Sequence, residues 1–182
     1  MSCALTSGRR EISCRNNIGG LKNIYLFKYD AYNIVLSGQE VVTFPDIGLF
    51  KYEIRVGDFK QSIENDENGI VYSQDLNFTL FKQDLLTSLE LNRATNIDLM
   101  YIVEFNDGTY RLGGLRNGAS ITSLELVSGG SKGELNGYNI TISGKELLEA
   151  PFIDADTFLE LSFLLLEDDF NLLLEDDFKI IL

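Results

Sequence analysis

The chain has 182 residues, 45% of them apolar and 24% charged, with 28 acids against 15 bases and a formal charge of −13. That length suits one domain with at most an appendage, and it buries enough surface to hold a core without metal or disulfide staples. Histidine is absent and cysteine occurs twice, which excludes Ser-His-Asp and Cys-His nucleophiles, histidine-ligated or four-thiolate zinc, and the commonest general base at neutral pH.

The first ten residues, Met1–Arg10, lack the apolar centre of a signal peptide, so the chain is expected to be made in the cytosol. There Cys3 and Cys14 are expected as two free thiols, a bridge between them being the alternative. Arg9, Arg10 and Arg15 could meet phosphate, but basic residues near a terminus more often pair with an acidic neighbour. Residues 1–20 are therefore read as an N-terminal arm on a domain ending at residue 153.

Phe50, Tyr52, Ile54 and Val56 alternate with Lys51, Glu53 and Arg55, which predicts a strand with one dry face. Ile70, Tyr72, Leu76, Phe78 and Leu80 repeat the pattern, interrupted by Gln74. Between these runs, Asn65-Asp66-Glu67-Asn68-Gly69 reads as the exposed tip of a hairpin over residues 59–80. From Asp84 to Ala94 the spacing of Leu85, Leu86 and Leu89 predicts one short helix, capped by Asp84 and stable only when packed on a sheet. Ile97, Leu99, Tyr101, Val103 and Phe105 lead into Asn106-Asp107-Gly108-Thr109, where Asp-Gly predicts a type I′ hairpin turn with Tyr110 and Leu112 beyond it. Ser120–Ser128 and Tyr138–Ser143 read as two more strands around the turn-rich Gly129–Gly133. Short strands with one helix predict a mainly β fold, an antiparallel barrel or sandwich with the packed helix at about 84–94.

The last 29 residues, 154–182, differ in kind. They hold nine acids and one base, −8 of the total −13. Leu164-Leu165-Leu166-Glu167-Asp168-Asp169-Phe170 recurs eight residues later as Leu172-Leu173-Leu174-Glu175-Asp176-Asp177-Phe178. An eight-residue repeat keeps its facing on a strand and drifts by about 80° on a helix, which favours short strands joined by acidic turns. These leucines and phenylalanines are expected to form a C-terminal β arm that covers its own domain or adds strands to a neighbour. No apolar run approaches the roughly 20 residues of a membrane span, and no membrane partner is expected.

Each motif suggestive of chemistry has a plainer explanation. Among 28 carboxylates some pair will always sit at a glycosidase-like spacing, and there is no tryptophan to stack a sugar. The Glu-Asp-Asp triplets lack the glycines of repeat calcium binders and the spacing of an EF-hand, so they read as polar turns. Gly113-Gly114 and Gly129-Gly130 do not follow a phosphate-loop pattern, and turn chemistry accounts for them. Catalytic, cofactor and metal residues are accordingly expected to be none.

Cys3-Ala4-Leu5-Thr6-Ser7-Gly8-Arg9, then Cys14-Arg15, Gly19-Gly20-Leu21 and Ile24-Tyr25, resembles the start of structural proteins of tailed bacteriophages, particularly those infecting Bacteroidetes-type hosts. Leu135-Asn136-Gly137-Tyr138-Asn139-Ile140-Thr141-Ile142-Ser143-Gly144, followed by Ala150-Pro151, resembles the closing strand of phage tail-tube-like proteins. The resemblance implies a virion subunit with no active site, made in the bacterial host and located in the phage tail. It implies self-association into rings of six or twelve copies by strand pairing, a hairpin reaching the next ring, and contact with other virion proteins. DNA would pass through the lumen without specific binding, held off by acidic groups over a Debye length of about 8–10 Å. The interface residues expected on this reading are Asn65, Asp66, Glu67, Asn68 and Gly69 at the tip. Leu164, Leu165, Leu166, Phe170, Leu172, Leu173, Leu174 and Phe178 join them in the arm. A capsid decoration or head-fibre protein, or a β-sandwich adhesin, is the alternative.

The thiol expectation has a direct check. Alkylation of the denatured protein without reductant should add two labels per chain, read by intact mass, whereas a Cys3–Cys14 bridge would add none.

Overall fold

The computed structural model describes residues 18–30, 32–45, 47–66, 69–131 and 133–154. Eleven strands and one helix follow in chain order: β1 (Leu21–Lys28), β2 (Val35–Ser37), β3 (Glu40–Thr43), β4 (Phe50–Glu53), β5 (Val56–Asp66), β6 (Gly69–Phe81), α1 (Leu85–Ala94), β7 (Leu99–Phe105), β8 (Tyr110–Gly113), β9 (Ser120–Ser128), β10 (Asn136–Glu146) and β11 (Phe152–Ile153). The strands form two sheets, one of seven in the order β2-β3-β11-β8-β7-β1-β4 and one of four in the order β5-β6-β10-β9. The fold is mainly β with one short helix, as expected. Of the two architectures anticipated it is the sandwich: among the described residues neither sheet closes on itself. The C-terminal arm and the N-terminal segment 1–17 lie outside the described residues.

Between the sheets lies the main core. Ile24, Leu26, Tyr101 and Val103 of the larger sheet meet Leu76, Phe78, Ile140 and Ile142 of the smaller one. Each such side chain contributes roughly 1.5–3 kcal/mol when fully buried. Phe59 stands edge-on to Tyr101 and Phe105, with ring centroids 6.3 and 6.2 Å apart, an arrangement that the ring quadrupoles favour.

A second apolar layer covers the other face of the larger sheet, built on Phe27, Met100, Ile102 and Leu112. The segment between β1 and β4 closes over it with Val41 and Phe44, the Phe44 ring edge-on to Phe27 at 5.7 Å. Strand β7 is therefore dry on both faces: every residue from Leu99 to Glu104 is buried.

Four expectations about local structure need correction. The run Phe50–Val56 is two strands in different sheets. Phe50 and Tyr52 pair with Leu26 and Ile24 in the larger sheet, Ile54 is buried at the corner, and Val56, opposite Thr79 in the smaller sheet, is 58% exposed. The inward phase thus shifts by one at Arg55, so that Phe59 and not Val56 faces the core. The Asp-Gly loop closes with Phe105 N–H donating to the Thr109 carbonyl, and only Gly108 has a positive φ, +84°. That is a three-residue loop with glycine in the left-handed position in place of the type I′ turn expected.

The helix holds the third surprise. Asp84 caps it, accepting from the Thr87 N–H at 3.1 Å, but the leucines read as its packing face are outside. Leu85, Leu86 and Leu89 are 74%, 71% and 46% exposed, while Leu91 is fully buried. Leu91 stands about 200° round the helix from Leu89, and with Thr87 and Ala94 at one-turn spacings it supplies the inward stripe.

Gly113 belongs to β8 rather than to a turn, and it faces Tyr101 across the ladder. A β-carbon there would stand 2.2 Å from the Tyr101 ring. Tyr101 itself is fully buried, and its hydroxyl finds no hydrogen-bond partner among the described residues. Gly113→Ala should therefore destabilise the fold by about 1–3 kcal/mol through overpacking. Tyr101→Phe, which removes an unpaired buried hydroxyl, should leave stability unchanged or raise it. Urea denaturation of both variants checks the pair.

Candidate functional site: open strand edges and an apolar cleft

The expected hairpin is present, with β5 and β6 paired from Val56↔Thr79 to Asp66↔Gly69. It is not a free arm, however. Strand β6 also pairs with β10 from Phe81 to Tyr72 and carries Leu76 and Phe78 into the core. Only the pairs beyond Tyr72 extend past the sheet, so the projecting part is 64–71 rather than the whole of 59–80. Asn65 and Gly69 are exposed at its end, with Ile63 at 62% and Ile70 at 52% exposure beside them. Glu67 and Asn68 lie outside the described residues, as do Leu164, Leu165, Leu166, Phe170, Leu172, Leu173, Leu174 and Phe178, the two cysteines and the three N-terminal arginines.

Sequence periodicity missed the edges. The smaller sheet ends in β5 and β9, eleven and nine residues long, each with one unpaired side among the described residues. Its outward face is a polar grid. Asp58, Asn77, Thr141 and Ser123 form one row across the four strands, and Lys60, Asp75, Ser143 and Ser120 the next. Neighbouring members are hydrogen-bonded: Ser143 donates to Asp75 at 2.6 Å, Thr141 to Asn77 at 3.0 Å, and Thr79 to Asn139 at 3.0 Å. With Glu64, Glu125 and Lys145 included, the face carries two more acids than bases.

The larger sheet ends at β4, whose outer side is also unpaired among the described residues. Beside it, α1 and the ends of β1 and β7 enclose an apolar cleft of about 210 Å³. Leu26, Phe50, Tyr52, Ala94, Ile97 and Leu99 line it, with Lys28, Glu90 and Arg93 as its charged members. The Tyr52 hydroxyl donates to Glu90 at 3.5 Å, and burial together with the Glu90 charge pushes that phenol up to about 12.

Two buried carboxylates are structural. Glu104, on the back face of β7, accepts from Lys22 at 2.6 Å, Asn23 at 2.6 Å and Tyr25 at 3.3 Å. Burial pushes its carboxyl up, but the hydrogen bonds from Asn23 and Lys22 outweigh that, and it titrates below the usual carboxylate range. Glu146 accepts the backbone N–H groups of Arg116 and Asn117 at 2.9–3.1 Å and so pins the loop after β8. Burial nevertheless raises its pKa. Among the described residues no three His, Cys, Asp or Glu side chains gather as metal ligands.

No family model matches the chain, and neither the curated proteins nor the solved structures include a match to it.

The Glu104 cluster makes acid stability testable. A carboxyl held below its unfolded value contributes stability above the ordinary glutamate pKa, and that contribution is lost as pH falls through the lowered one. Glu104→Gln should therefore cost about 1.5–3 kcal/mol at neutral pH, with the gap to the parent protein narrowing below about pH 4. Thermal unfolding of the two proteins across pH measures it.

Proposed function

We propose that this chain is a structural subunit of a tailed-bacteriophage virion, a tail-tube or tail-ring protein that closes into a ring through its smaller sheet. The observation that carries this reading is the pair of long open edges, β5 and β9, on opposite sides of one four-stranded sheet. Such edges are a hazard in a monomer, and pairing them with identical neighbours removes both at once. Because the four strands alternate in direction, β9 of one copy meets β5 of the next antiparallel, and the sheet continues without a break around the ring.

The outward grid of the smaller sheet then faces the lumen. It is polar, carries a small excess of acid and is hydrogen-bonded within itself, a surface that lets DNA pass without holding it. The hairpin end at 64–71, with Ile63 and Ile70, is the natural contact between stacked rings. On this reading the protein works by assembly rather than catalysis, resides in the phage tail, and contacts other virion proteins as well as itself.

Negative-stain microscopy and sedimentation of the purified protein test the proposal. Annular particles or tubes are expected. Val56 on β5 and Leu126 on β9 are 58% and 60% exposed, so Val56→Lys with Leu126→Lys should leave the fold intact by circular dichroism and abolish rings. Replacing 64–71 by a short Gly-Ser turn should leave rings that no longer stack. A parent protein that stays monomeric or trimeric at every concentration would overturn the proposal in favour of a decoration, fibre or adhesin role.

A further inference from the structure

We propose that the apolar cleft beside α1 and the open edge of β4 receive the C-terminal segment of this chain. The occupant is a Leu-Leu-Leu-Glu-Asp-Asp-Phe unit, Leu164–Phe170 or its copy Leu172–Phe178. The assignment goes beyond the ring and does not depend on it, because it concerns the larger sheet and the helix.

Shape and polarity come first. The cleft floor is aliphatic and aromatic, and Phe50 at its mouth is 58% exposed. Leu86 lies one and two turns before Glu90 and Arg93 on the side of α1 that lines the cleft, so apolar surface continues from the cleft along the helix to Leu86 and Leu89. Strand β4 offers its unpaired edge alongside. In an extended unit Leu164, Leu166 and Phe170, or Leu172, Leu174 and Phe178, share one face and can seat in the cleft while the backbone pairs with that edge, with Asp168 or Asp176 between them beside the bases of the rim.

Charge selects among the available occupants. Lys28 and Arg93 line the cleft, Lys51 is on β4 and Arg55 follows it, against the acids Glu90 and Glu53. The ion pairs among the described residues are Lys22–Glu104, Arg111–Glu149 and Lys145–Glu64, and none of those four bases takes part in them. Residues 155–182 carry eight acids and one base, whereas residues 1–17 carry three bases and one acid. The C-terminal segment is attracted to this rim and the N-terminal one is repelled.

Reach is sufficient. The described chain ends at Asp154, just after β11, which lies four strands from β4 and level with Glu104 of β7. The separation from the cleft is about 25 Å, from strand spacings of about 4.8 Å and a rise of about 3.3 Å per residue. That line runs through the packed sheet, so the path is longer; the seventeen residues 155–171 span up to about 56 Å when extended, enough to pass round the sheet and bring Leu172 to the cleft.

Photocrosslinking of the full-length chain tests this. With a benzophenone amino acid in place of Phe50, irradiation followed by peptide mass mapping should place the major crosslinks in residues 160–182. Leu166→Asp with Leu174→Asp should lower that yield at least tenfold and speed hydrogen exchange at the β4 amides. Mixing heavy- and light-isotope copies shows whether the segment comes from the same chain or a neighbour, and either source supports the assignment. Crosslinks to residues 1–17 or to the sandwich itself, or a yield untouched by the two aspartates, would overturn it. Loss of rings in the β5 and β9 edge variant with this crosslink retained separates the two proposals.

Discussion

Strand β7 has to be kept dry on both faces, and the rest of the architecture answers that need. Leu99, Tyr101 and Val103 point toward the smaller sheet, while Met100 and Ile102 point away from it. One four-stranded sheet covers only the first set. The second would face water if the chain ran directly from β1 to β4, and the long excursion between them, with β2, β3 and Phe44, supplies the cover. Even the polar residue on the back face obeys the constraint, since Glu104 is buried and meets three donors. An unpaired carboxylate there would cost far more than its hydrogen bonds return.

This solution protects the middle of the sandwich at the expense of its rims. Open sheets must end somewhere, and among the described residues the larger sheet ends in β2 and β4 and the smaller in β5 and β9. The exposed leucines of α1 add apolar surface beside them. A formal charge of −13 makes whole molecules repel one another. That charge is unevenly distributed, dense in the last 29 residues and sparse elsewhere.

Several elements were legible in the sequence because their cause is local. Asp84 caps α1 through a bond three residues long, and the hairpin runs of β6 alternate because one face of that sheet is wet. Gln74 looked like an interruption but keeps the phase: it is buried and accepts from the Gly114 N–H at 3.2 Å. Strand β1 was not legible, since Ile24 and Leu26 fill one core and Phe27 the other, which erases the alternation. The break at Arg55 was hidden because Ile54 continues the pattern into the corner. Which leucine of α1 turns inward depends on where the two sheets leave a gap, and no helical periodicity reports that. The edges and the cleft were invisible for the same reason. An edge is defined by which strand fails to find a partner, and partners here come from far along the chain.

The corner between β4 and β5 has a mechanical side. Only Ile54 and Arg55 separate the two strands, about 7 Å of backbone at full extension, and Ile54 is fixed at both ends by its burial and by its N–H bond to the Lys22 carbonyl at 3.0 Å. A link this short has no slack. Tension drawn along β5 passes into β4 and from there into the ladder it shares with β1, instead of dissipating in a loop. The two sheets are thus joined in series at one rim, and a pull on the edge of the smaller sheet is resisted by the hydrogen bonds of the larger.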